Sequence, residues 1–292
     1  MLKEKIEKVF TRHYKILMLI PIIISIVALL LVGIKYYNTG DFFEKDVSLR
    51  GGIAATIYSD KVISEDQIKS ILEVESTVRT ISEVTSGKQL GFVVEVSDLS
   101  RDQLKEKLEI LGIELTSKNY SVEETGAKLG EAFYRQLMIA IIFAFVLMGI
   151  VVLITFRSIA PSLAVIFAAF MDIIVTIAVV NIMGMHVSTA GIVGFLLVIG
   201  YSIDTDILMT TWALKKKEYG SLFDRMYHSM QTGLTMTLTA MGVMLVGLIF
   251  SNSVIIKEMF TIIFIALIVD VFATYLTNAG ILWIYCKKKN IT

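Results

Sequence analysis

The stretch Val187–Trp212, VSTAGIVGFLLVIGYSIDTDILMTTW, decides how this chain folds. At a rise of about 1.5 Å per residue, a helix over it is long enough to cross a hydrocarbon core of about 30 Å. It carries no charge from Val187 to Ile203, and then two carboxyls, Asp204 and Asp206. An ionised carboxyl deep in a spanning helix costs about 2.5–3.5 kcal/mol on insertion scales. A chain that keeps such a group needs a partner for it, a water path to it, or a task for it. Asp172 in AAFMDIIVTI and Asp270 in IALIVDVFATY are in the same predicament. The placement points to transport or energy coupling in a membrane.

The rest of the chain agrees. Of its 292 residues 55% are hydrophobic and 18% charged, with a mean hydropathy of +0.72. The apolar residues come in long blocks, which marks a polytopic membrane protein. Six blocks are long enough to span, near 16–36, 134–156, 160–183, 187–212, 232–250 and 259–285. Net charge is zero, so nothing draws the chain to nucleic acid. Cys286 is the single cysteine and forms no internal disulfide; His13, His186 and His228 lack zinc-ligand spacing. No cofactor or metal is expected. The basic start followed by Ile16–Ile34 imitates a secretory signal. Its length, and the lack of an A-x-A site, make it a retained anchor.

Lys and Arg set the expected orientation. Lys3, Lys5, Lys8, Arg12 and Lys15 precede the first span, Arg157 follows the second, and Lys215, Lys216, Lys217 and Arg225 lie after the fourth. Lys287, Lys288 and Lys289 follow the sixth. The positive-inside rule puts both termini in the cytoplasm. The chain then divides into 1–36, with the first span, an external domain over 37–132, and a five-helix membrane domain over 133–292.

That external segment repeats itself. Ser64-Glu-Asp66-Gln67 and Ser100-Arg-Asp102-Gln103 each open a helix with a capping box, in which the hydroxyl caps the helix start and the glutamine reaches back. Gly112 is placed to end the second helix. Strand patterns cover Gly52–Ser59, Thr77–Thr85, Gln89–Ser97 and, more weakly, Glu114–Glu123, with Ser86-Gly87-Lys88 as a hairpin turn. The order β-α-β-β-α-β is the split βαβ, ferredoxin-like arrangement. Its last strand leads through Gly126 and Gly130 to the second span, so domain motion is able to pull on the membrane part.

Nothing in the sequence supports bond-making, and no P-loop, nucleophile elbow or catalytic pair is present. Gly51-Gly52 reads as a turn. The plain alternative for the acids is that each hydrogen-bonds a neighbouring helix and only fixes packing. Four acids in three spans argue for more. Ala164, Ala168, Asp172 and Thr176 recur every four residues, as do Ala266, Asp270, Thr274 and Asn278. Each makes a narrow stripe suited to another helix or a wet seam. Asp204 and Asp206 lie about 200° apart on a helix, so one groove cannot take both. Asp206 shares a side with Ser188, Ser202 and Thr210, and Asp204 with Ala190, Gly200 and Thr211. Arg157 is a candidate charge partner or a topological anchor. Asn119-Tyr120-Ser121 has the glycosylation pattern.

Several motifs resemble the SecF family of the protein-secretion machinery: Leu49-Arg-Gly51-Gly52, Tyr120-Ser-Val-Glu-Glu-Thr-Gly126, Phe156-Arg157-Ser158, Met171-Asp172-Ile-Ile-Val-Thr176 and, most specifically, Gly200-Tyr-Ser-Ile-Asp204. The likeness spans nearly the whole chain. It implies half of an RND-superfamily bundle facing SecD as the other half. It also implies a SecY-type translocon and a translocating polypeptide as partners in the lipid bilayer, with proton movement driving the external domain. The bacterial pattern reads Asn-Asp-Thr after Gly-Tyr-Ser-Ile, whereas this chain has Asp204-Thr205-Asp206, with Thr205 at the usual acid position. Asp204 matches the acid spacing of SecD. Together with Asp270 this looks like the archaeal branch, which lacks the ATPase SecA. Asp204 ranks first as proton-relay residue and Asp206 second, with Asp172 and Asp270 behind them and Arg157 as a charge partner. Rival readings are half of a proton-driven small-molecule or lipid exporter, and a scaffold that only stabilises a complex.

Overall fold

Among the described residues six helices are long and apolar enough to cross a membrane, and they make up most of the chain. The computed structural model describes residues 2–59, 61–74, 76–83, 87–251 and 253–291. The first helix, α1 (Leu2–Thr39), leads to a two-residue strand β1 (Glu44–Lys45) and one helical turn α2 (Val47–Arg50). A sheet domain follows, with β2 (Gly52–Tyr58), α3 (Glu65–Leu72), β3 (Ser76–Ser82), β4 (Gln89–Val96), α4 (Arg101–Glu109) and β5 (Tyr120–Thr125). The membrane part then runs α5 (Ala127–Phe156), α6 (Ile159–Ile182), β6 (His186–Val187), α7 (Thr189–Lys215), α8 (Leu222–Phe250) and α9 (Val254–Phe272). The last span continues from α9 through a π-helical turn, Ala273–Asn278, into α10 (Ala279–Lys288).

The sheet order is β3-β4-β2-β5, with every neighbouring pair antiparallel. This is the expected split βαβ order. Along β2 the burial alternates, so Ile53, Ala55 and Ile57 face Ile68 and Leu72 of α3 and Leu104 and Leu108 of α4. Each such buried side chain contributes about 1.5–3 kcal/mol. Both capping boxes form: Ser64 accepts from the Gln67 amide and Ser100 from the Gln103 amide, and each glutamine bonds back. Gly112 has φ 67, the left-handed geometry that ends α4.

Strand bounds agree within a few residues except at the last strand, where β5 begins at Tyr120 rather than near Glu114. The Asn119 side chain is the cause. It accepts from Thr116 N at 2.7 Å and donates to Glu114 O at 2.9 Å, folding 114–119 into a turn. The asparagine of the glycosylation pattern is thus engaged in its own loop. Val84–Ser86 of the expected strand end and hairpin, and Asn252 of the turn after the fifth span, lie outside the described residues.

Among the spans α6 is the central one, with 61% of its apolar window buried against 17% for α5 and for α8. Ala164, Ala168 and Ala169 keep it slim enough for close contact. α5 and α8 present exposed Ile142, Phe143, Leu238 and Val246 outward, as lipid-facing helices do. One feature has no counterpart in the hydropathy pattern. β1 pairs in parallel with β6, Glu44 opposite His186 and Lys45 opposite Val187, tying the sheet domain's base to the α6–α7 turn.

Candidate functional site

Three of the four intramembrane acids meet. Asp172 on α6 is 0% exposed, Asp206 on α7 0% and Asp270 on α9 1%. Their partners are hydroxyls and one amide. Ser202 Oγ donates to Asp172 Oδ2. Asp206 Oδ1 accepts from Thr274 Oγ1 at 2.8 Å and Asn278 Nδ2 at 2.7 Å. Thr205 Oγ1 lies 3.2 and 3.1 Å from the two oxygens of Asp270, and Thr274 Oγ1 lies 3.1 Å from Asp270 Oδ1. Thr274 therefore bridges Asp206 and Asp270. Among the described residues no Lys, Arg or His pairs with any of the three, and Asp172 Oδ1 and Asp206 Oδ2 have no hydrogen-bond partner.

The local backbone explains how one helix serves both carboxyls. On a straight α-helix residues four apart drift by about 40° per step, so Asp270, Thr274 and Asn278 would fan out. The π-helical turn Ala273–Asn278 takes more residues per turn and offsets that drift. Thr274 and Asn278 both then reach Asp206. On α7, Ser202, Thr205 and Asp206 share the buried face, and each addresses the carboxyl cluster.

The structure does not bring Asp204 or Arg157 into the site. Asp204 is exposed, on the opposite face of α7 from Asp206, as the ~200° separation on a helix requires. Arg157 is exposed at the end of α5, where its φ of 49 lets it cap the helix. Thr205, at the position where the bacterial pattern has its acid, holds the Asp270 carboxyl contributed by α9.

Four contributors had weaker signals. Ser202 was readable from the sequence only as sharing a side with Asp206, and Thr205 declares itself only by contact. Glu258 is 8% exposed and accepts from Ser188 N at 2.7 Å. It lies on the Ala266–Asp270–Thr274 stripe continued backwards through Ile262, a signal that four-residue spacing carries. Glu95 is 0% exposed on the face of β4 away from α3 and α4. It binds Arg50 Nη2 at 3.1 Å and Arg79, and lies 3.4 Å from His186 Nδ1. Burial pushes its carboxyl up, but His186, Arg79 and Arg50 more than reverse this and hold it below the usual carboxylate range.

The family model described as protein export membrane protein SecD/SecF, C-terminal, matches residues 105–288. The protein-export membrane protein SecF of Pyrococcus furiosus is 33% identical over 294 residues, covering 99% of this chain and 96% of that protein. SecF of Methanocaldococcus jannaschii is 34% identical, covering 94% and 96%. The crystal structure of SecDF from Thermus thermophilus, described as a translocon-associated membrane protein, superimposes with a TM-score of 0.73 at 20% identity. That match covers 96% of this chain and 38% of SecDF, so this chain spans well under half of the larger protein.

Proposed function

The chain belongs to the SecF family of protein-export membrane proteins, and from that premise we propose that it couples proton movement to export in company with a SecD subunit. The observation that carries this reading is the burial of Asp172, Asp206 and Asp270 on three different helices, with Thr274 bridging Asp206 and Asp270, Ser202 bound to Asp172, and no Lys, Arg or His paired with them among the described residues. Three ionised carboxyls in so small a volume would repel strongly and lack hydration. Hydrogen-bond inventory favours protons as the neutralising species. A threonine hydroxyl has one hydrogen to give. Thr205 Oγ1 lies 2.9 Å from Ser202 O as well as near Asp270, and Thr274 Oγ1 lies near two carboxyls. A proton on Asp270 adds a third donor to the two threonine hydroxyls, and so satisfies its contact with Thr205 or with Thr274 while the threonine hydrogens go to Ser202 O and Asp206. Among the described residues no group of His, Cys, Asp and Glu has the geometry to hold a metal ion.

Asp204 supports the SecD partnership. An exposed carboxyl within a span is costly against lipid, and a second bundle covering this face of α7 removes that cost. In this reading SecD lies along the outward face of α7, both termini are cytoplasmic, and the sheet domain faces the exterior beside the SecY-type channel and the emerging polypeptide. The test is reconstitution of this chain with its SecD homologue and the SecY-type channel in vesicles, following export with and without an imposed proton gradient. The expected result is gradient-stimulated export that an uncoupler returns to the basal rate. Export indifferent to the uncoupler, with SecD bound, would refute proton coupling. Failure of SecD to co-purify would refute the partnership.

A further inference from the structure

The sheet domain is joined covalently to α1 and α5, yet none of the three clustered carboxyls lies on either helix. Its route to the carboxyl cluster is a set of non-covalent contacts on the first turn of α7. β1 pairs with β6, and Asp46 N donates to Val187 O at 3.0 Å. Ser48 Oγ, from α2, accepts from Thr189 N at 3.1 Å. Ser188 N donates at 2.7 Å to Glu258 Oε1 on α9. A Cβ on Gly191 would collide with the Glu258 carboxyl and come within 2.8 Å of Val187 Cγ1, so α7 and α9 touch closely at this level. Above the turn, Glu95 draws in Arg79 from the sheet, Arg50 from α2 and His186 from the α6–α7 turn, and Arg79 also reaches Asp46 at 3.4 Å. Phe43, Leu49, Val187, Ile192 and Ile262 form the small apolar floor beneath.

The same helix supplies Ser202 to Asp172 and Thr205 to Asp270, and it carries Asp206. α7 is regular from Thr189 to Lys215, so an axial shift at its first turn arrives at these side chains about 20 Å away. A hydrogen bond near 3 Å is lost with a displacement of about 1 Å. The grip itself is small and polar, a two-residue ladder and a half-buried ionic cluster around the buried Glu95 carboxyl, and buried ionic groups are best attested as register or switch devices.

We propose that residues 186–189 form a latch by which the sheet domain sets the axial position of α7. Ser48, Glu95, His186 and Glu258 are its positioning residues. With the latch closed, as seen here, α7 holds Ser202 and Thr205 on the carboxyls of Asp172 and Asp270. Displacement of the sheet domain moves α7 and releases them. The proposal rests on the reading of the carboxyls as proton carriers, and its test has a readout independent of export.

The paired substitution Glu44→Cys with His186→Cys places thiols on facing residues of the β1–β6 ladder, within disulfide reach. Reduced, this protein has a loosened latch; oxidised, a locked one; both are the same full-length chain in the reconstituted complex. The readout is the rate at which dicyclohexylcarbodiimide modifies Asp206 and Asp270, measured by peptide mass spectrometry. Oxidation is expected to slow modification about tenfold, in the range of ordinary coupling between linked sites, and to slow export with it. Ser48→Ala, which removes one latch hydrogen bond and nothing from the sheet core, is expected to speed modification. Unchanged carbodiimide rates in both the oxidised pair and Ser48→Ala overturn the latch. Changed rates with unaltered export uphold the latch and overturn the proton-coupled reading instead.

Discussion

Replacing Asp206 by asparagine separates the chemistry of the carboxyl cluster from its packing. Thr274 Oγ1 lies 2.8 Å from Asp206 Oδ1 and 3.1 Å from Asp270 Oδ1, so those oxygens are no more than about 6 Å apart. Two full charges at that distance repel by about 3 kcal/mol at an effective dielectric of about 20. That is roughly two factors of ten in population, so on the proposed proton-carrier reading the pair shares its charge rather than ionising together. Asparagine abolishes the sharing but keeps an oxygen where Oδ1 stands, still accepting from Thr274 and from Asn278. Leucine abolishes both, and leaves the Asn278 amide with its donors buried and unmet. Asp206→Leu is therefore expected to be less stable than Asp206→Asn by about 2 kcal/mol. Both should lose gradient-stimulated export. The assay is thermal unfolding of each variant in detergent beside uncoupler-sensitive export in vesicles. Wild-type gradient stimulation in Asp206→Asn would refute the argument, and equal stability of the two variants would refute the hydrogen-bond geometry.

Further outcomes follow from the sheet domain. The Glu95 carboxyl is held below its usual range by His186, Arg79 and Arg50 against the effect of burial. A carboxyl lowered in the folded state contributes stability above its unfolded value and loses it as pH falls through the folded one. Amide exchange around His186–Thr189, followed by mass spectrometry, should thus accelerate below about pH 4 in the wild type, and Glu95→Gln should abolish that step. Ser64→Ala and Ser100→Ala should each destabilise the sheet domain by about 1 kcal/mol through loss of a helix cap, read as a lower unfolding midpoint. Gly91→Ala would set a Cβ 2.9 Å from Tyr58 Cα between β4 and β2. Overpacking of this kind costs about 1–3 kcal/mol, and limited proteolysis of the domain should show the loss.

The two capping boxes were legible because a cap is a contact between residues three apart. The β1–β6 ladder was not, since two residues of Glu44–Lys45 offer no periodicity and their partners lie far along the chain. Glu258 stood between these cases: its four-residue spacing from Asp270 was readable, but its bond to Ser188 N belongs to another helix. The exposed, cap-forming Arg157 shows the converse, a charged residue whose motif suggested a partner and whose position supplies only the end of α5.

Hydropathy, capping boxes and strand alternation, all local in the chain, determined by themselves that six segments are long and apolar enough to cross a membrane, that a split βαβ domain interrupts them, and that carboxyls lie within the spans. Which carboxyls meet was decided only by packing. Asp204 and Asp206 are chemically alike and two residues apart, and a helix must turn them to opposite sides. α6 and α9 cover the side bearing Asp206, whereas Asp204 is left on the exposed face. The π-helical turn after Asp270 then brings Thr274 and Asn278 onto Asp206, an adjustment of a few tens of degrees that no pattern of residue types encodes.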